Sequence, residues 1–371
     1  MTVPSIPRLT RIITGVFAAL VIVIAGFMLI RSNPSDDDDL TRVVYLGPAD
    51  AYARNLLLAD PRIGAVTALT DAPDGVEDFA VSPDGTRIAY ARNNDDSTTD
   101  IWVLDLPSGA AVPVTRCVRA VCSAPAWKPD ASQIAYQRRE FGRGDPARAT
   151  RVWMVDLPSL ETRLLFDDAQ VLGMVPAWSP DGQRVAVFDP AALAIRVRDL
   201  AAGTDLLLAS ETGTSGAFSP DGTQLVYPAL VRGALGQEFY SHLRLADLTT
   251  GTVTPLSGPE DAPVEDAFAA WSPDGATLLI TRRYLDERYT AGKQLYLLDV
   301  AAGTAQPLVV DAAYNHAVPR WDAAGRRIVF QRFSLATPGV QPEVWTFDLT
   351  NNALTRVAEN AFFPAWVLCY D

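Results

Sequence analysis

Ala177-Trp178-Ser179-Pro180-Asp181-Gly182 is one copy of a stretch that returns along the chain every 40 to 53 residues. Aligned on its aromatic position, the series runs Val81, Trp127, Trp178, Phe218, Trp271, Trp321 and Trp366, which makes seven copies. The five copies with Pro-Asp turns (Asp84, Asp130, Asp181, Asp221 and Asp274) show the hairpin chemistry most fully. Proline sets φ for the first central turn residue, aspartate accepts local backbone hydrogen bonds, and glycine takes the left-handed position that closes the turn.

Working outward, an apolar run such as Arg87-Ile88-Ala89-Tyr90 follows each turn, then a second such as Ile101-Trp102-Val103-Leu104, which ends in an aspartate. These aspartates are Asp60, Asp105, Asp156, Asp199, Asp247, Asp299 and Asp348, a second and independent count of seven. An antiparallel four-stranded unit repeated at this length is the pattern of a β-propeller. The expected fold is all-β, a seven-bladed β-propeller over residues 42–371. Its first repeat shows only three strands, so the innermost one is expected from the C-terminal stretch Phe363-Pro364-Ala365-Trp366. N- and C-terminal strands would then close one blade jointly and remove an open sheet edge.

The Pro-x-Trp-Ser-Pro-Asp-Gly repeat resembles the WD40-like repeat of TolB-type propellers, over nearly all of residues 42–371. The resemblance implies protein or peptide binding. The same repeat also resembles propellers that gate prolyl-oligopeptidase-type hydrolases, and fold does not set function. Here no Gly-x-Ser-x-Gly elbow occurs, only two histidines (His242, His316) are present, and no Gly-rich phosphate loop runs from a strand into a helix. The chain is therefore read as lacking both a hydrolase domain and the separate α/β domain of TolB.

The formal net charge of −13 argues against nucleic acid, whose binding needs a basic face. Five tryptophans occupy the inner slot, and Trp102, Trp153 and Trp345 share one position in a later strand, so all eight are expected to pack between blades. Residues 12–30 are nineteen uncharged, mostly apolar residues, enough for roughly 28 Å of helix. They read as an uncleaved transmembrane signal-anchor, with residues 1–11 a short cytoplasmic tail and 31–41 an acidic linker. Arg8 and Arg11 before the span and Asp36 to Asp39 after it place the N-terminus in the cytoplasm and the propeller outside. The aspartate run reads as a solvated spacer rather than a calcium site. Cys117 and Cys122 are a disulfide candidate outside the cytoplasm, and Cys369 reads as a buried thiol.

Both turn series lie on one face by strand alternation, and the long connections 93–99, 138–151, 231–240, 282–293 and 333–341 lie on the other, where binding normally resides. Six residues before the aromatic slot, four consecutive copies carry Thr212, Glu265, Asn315 and Asn360, with Glu77, Asp78, Asp266 and His316 nearby. These eight are the candidate binding residues at the channel mouth. No catalytic residue, metal site or cofactor is expected, although a divalent cation belongs to the rival reading of a small-ligand or cation-dependent enzyme. The expected partner is a protein or peptide of the cell envelope, with the chain itself monomeric; a structural spacer with no ligand is the remaining alternative.

Overall fold

The computed structural model describes residues 41–141, 149–232, 239–337 and 339–368. The expected tail 1–11, membrane helix 12–30, linker 31–41 apart from Thr41, and Cys369 lie outside the described residues, as do parts of three of the long connections. Among the described residues, no helix is long and apolar enough to cross a membrane.

The repeats fold as antiparallel meanders, giving twenty-eight strands in six sheets among the described residues. Five sheets have four strands. The sixth has eight, because one parallel pair, Thr99 with Val121, joins two neighbouring meanders that the repeat alone would keep apart. The pair lies beside Cys122, whose disulfide to Cys117 tightens the connection between those meanders. Strand Phe362–Leu368 lies next to Thr41–Gly47, so the sheet of the first unit draws on both ends of the described chain. In units one to seven the strands at the inner position are Phe362–Leu368, Val76–Val81, Ala120–Trp127, Met174–Trp178, Ala217–Phe218, Val264–Trp271 and Tyr314–Trp321.

Burial falls from the inside outward. Second strands such as Arg184–Asp189 are buried almost throughout, whereas outer strands such as Ala65–Ala68 and Val253–Pro255 are wholly exposed. A second strand is covered on both faces by neighbouring units, which is why its sequence is a continuous apolar run rather than an alternating one. The hydrophobic clusters lie between units: Val44, Leu46, Phe362 and Val367 pack on Ile88 and Tyr90, and Val43 and Tyr45 pack on Val329 and Val344.

The turns hold as their chemistry dictates. Ser179 Oγ donates to Asp181 Oδ1 at 2.5 Å, the Gln183 and Arg184 N–H groups donate to Asp181 Oδ1 and Ser179 Oγ, and Gly182 has φ of 67°. In the copy without glycine, Ala131 takes the left-handed position at φ 54°. Inner-slot tryptophans fasten unit to unit. Nε1 of Trp127, Trp178, Trp271 and Trp321 donates to the carbonyl of Ala80, Ala126, Ala217 and Ala270, at 3.0–3.1 Å. Each acceptor is the residue just before the slot in the preceding unit. The long connections are shorter than their sequence limits, because strands such as Gln133–Glu140 and Thr277–Tyr284 run on into them.

Candidate functional site: the central cavity

Three residues before the aromatic slot, the inner strands break register. Shifts fall between Val76 and Phe79, Ser123 and Ala126, Met174 and Ala177, Ala267 and Ala270, and Ala317 and Arg320. At these bulges Ala124, Val175, Phe268 and Val318 have φ between 46° and 51°, and the corresponding Phe363 has 53°. Branched and aromatic residues rarely adopt this conformation, and bulges re-aim side chains. Here Val175, Phe268 and Phe363 stay 37%, 52% and 44% exposed inside an otherwise close-packed fold.

The bulges other than that at Phe268 line a cavity of about 600 Å3, within the common range for ligand sites of about 300 to 1,000 Å3. Asp78, Ala124, Val175, Val318 and Phe363 form one level of its wall; Arg320, Trp321 and Trp366 lie towards the turns. The bulge N–H groups are answered from the preceding unit: Ala124 by Asp78 Oδ2 at 2.7 Å, Val175 by Gln137 Oε1 at 3.2 Å, and Phe363 by Gln331 Oε1 at 2.9 Å.

Two charges stand in this wall. Asp78 Oδ1 is buried without a partner, and burial pushes the carboxyl up to about 7, against the opposing pull of the Ala124 N–H. The Arg320 side chain is exposed to the cavity, and desolvation by the surrounding protein pulls its guanidinium below the ordinary value. Asp78 and Arg320 are not paired with each other. The unit-to-unit pattern also breaks here: the acceptor corresponding to Trp366 would be the Arg320 carbonyl, and Trp366 Nε1 is buried with no partner.

The other sequence candidates lie elsewhere. Glu265, Asn315 and His316 gather around Lys293. Glu265 Oε2 is 3.7 Å from its Nζ, Asn315 Oδ1 accepts its N–H at 2.9 Å, and the His316 N–H donates to its carbonyl at 2.9 Å. Arg283 also pairs closely with Glu265. His316 is buried, with Nε2 unpartnered, and desolvation lowers its imidazole to about 4. Asp266 is fully buried in a two-point pair with Arg282, both contacts 2.7 Å, and accepts from Ser257 Oγ. Thr212 Oγ1 donates to the Pro228 carbonyl, Asn360 bonds Asp50, and Glu77 is exposed. Of the eight, Asp78 alone lines the cavity. Arg320 is missing from the sequence candidates. Its signal is there: the residue before the slot is alanine in six copies (Ala80, Ala126, Ala177, Ala217, Ala270, Ala365) and Arg320 in the seventh. Among the described residues, no three His, Cys, Asp or Glu side chains gather as a metal site would need.

Repeated antiparallel meanders around a bulge-lined cavity define a β-propeller, and the fold is TolB-like. TolB from Acinetobacter baumannii superposes with a TM-score of 0.53 at 15% identity, covering 90% of this chain and 67% of that one. The β-propeller domain of the Trilobed protease from Pyrococcus furiosus gives 0.55 at 14% identity, over 76% and 83%. An oligogalacturonate lyase in complex with manganese gives 0.58 at 15%, over 86% and 84%. Identities this low establish the fold alone. In sequence, the uncharacterized peptidase YuxL of Bacillus subtilis (strain 168) is 31% identical over 140 residues, 36% of this chain and about a fifth (19%) of that protein. No protein-family model matches the chain.

Proposed function

We propose that this chain is a closed, seven-bladed propeller that binds a segment of a protein or peptide in its central cavity. In this reading residues 12–30 anchor it in a membrane, with the propeller outside the cytoplasm and the partner in the cell envelope. The observation that supports it is the cavity wall. Strained bulges hold apolar side chains out of the core and into an open volume, and backbone strain of this kind persists where the surrounding structure over-determines it, commonly at binding sites. A mostly apolar pocket with a few polar groups suits an extended segment, whose side chains it buries while the polar groups set direction.

Ala124→Phe supplies the control. Phe268 and Phe363 occupy the corresponding positions at nearly the same φ, so the variant keeps the fold while narrowing the cavity. Screening a random peptide library against the purified propeller should enrich sequences that bind the natural protein and fail on Ala124→Phe. Enrichment of the same sequences by both would move the binding surface away from the cavity.

A further inference from the structure

Asp78 and Arg320 are each the exception in their ring. At the bulge level the seven copies carry Asp78, Ala124, Val175, Ser215, Phe268, Val318 and Phe363, of which Asp78 alone is charged. Arg320 replaces alanine at its level, as described above. Many of the other arginines are spent on partners, such as Arg282 on Asp266, Arg196 on Asp189 and Asp205, and Arg332 over Trp345; Arg320 is set apart by facing the cavity without one among the described residues. A guanidinium presents five donors in a planar fork matched to a carboxylate, and leaving it unanswered in a partly desolvated site is costly. Asp78 Oδ1 lacks a donor in the same wall, and Asp78 lines the volume. The wall that the two charges share is otherwise largely apolar, with Phe79, Val318 and Phe363 among its lining residues.

Resting on the reading of the cavity as a peptide site, we propose that its ligand carries a carboxylate that pairs with Arg320 and an ammonium or N–H group that donates to Asp78, on either side of an apolar side chain. A short peptide with free termini has this chemistry; so does a longer segment with an acidic and a basic side chain flanking an apolar residue. The shared requirement is opposite charges in the order that the wall sets.

Three peptides separate these sources: Ala-Phe-Ala with free termini, the same peptide acetylated and amidated, and acetyl-Lys-Phe-Glu-amide. Binding to the purified protein is followed by calorimetry and by the fluorescence of Trp321 and Trp366. Either the free or the Lys-Phe-Glu peptide should bind at least about tenfold more tightly than the neutral one, as expected for a charge-assisted hydrogen bond in a sheltered site. Arg320→Gln should remove that preference and Asp78→Asn should reduce it. Arg320 holds no partner among the described residues, so an unchanged melting curve for Arg320→Gln separates loss of recognition from loss of fold. Equal affinity for all three peptides, or a preference that survives Arg320→Gln, would overturn the charge recognition and leave the peptide site standing. Absence of binding by every peptide, with no sequence enriched from the library, would remove both.

Discussion

Asp78 is a buried carboxyl with one oxygen left unpartnered. Its pKa is raised to about 7 by burial, with Glu77 adding to the effect, whereas the unfolded chain ionises near 4. The native state therefore holds the proton more tightly. Stability is undiminished below about pH 4 and declines as pH rises towards 7, where the carboxyl ionises in place. Asp78→Asn removes the charge and keeps an acceptor for the Ala124 N–H. Urea denaturation should show the variant gaining on the natural protein between pH 4 and pH 7; a difference flat across that window would mean that the carboxyl is well solvated. His316 runs the other way. Its imidazole is lowered to about 4, so its contribution is present above about pH 6.5 and lost on acidification.

At the scale of the element, the inner strand does two jobs at residues three apart: the bulge turns a side chain into the cavity, and the aromatic slot locks the strand to its neighbour. The lock can be tested by contrast. Trp321→Phe leaves the Ala270 carbonyl without its donor and should cost about 1 to 3 kcal/mol, whereas Trp366→Phe removes an Nε1 that has no partner and should cost less. Equal losses in chemical denaturation would show that packing alone carries both positions. Turns, slots and strand order were legible in the repeat because each rests on local chemistry: proline and aspartate at a turn, short apolar runs between the turns. The partners of Glu265, Asn315 and His316 were not, since Lys293 reaches them from a different connection and alignment shows position on a strand without showing what packs against it. Arg320 lay in plain view as the departure from six alanines, but only the three-dimensional ring shows that this level faces a cavity.

At the scale of the whole molecule, the proposed closure rests on Phe362–Leu368 pairing beside Thr41–Gly47. Phe362 and Val367 are buried against Val44, Leu46 and Leu56, and losing buried side chains of this size costs about 2 to 5 kcal/mol each. Deleting residues 362–371 should therefore consume most of a typical domain stability of about 5 to 15 kcal/mol and abolish a cooperative melt. A truncated protein that still melts sharply within a few degrees of the natural one would show that the ring does not need this strand. The cavity as binding site is tested most directly by photo-crosslinking in cells, with a benzophenone amino acid placed at Val318 in the cavity wall and, as control, at exposed Arg163 on an outer strand. The account predicts one discrete adduct from position 318 that is absent from position 163 and lost when Ala124→Phe narrows the cavity. The same adducts from both positions, unaffected by Ala124→Phe, would contradict it.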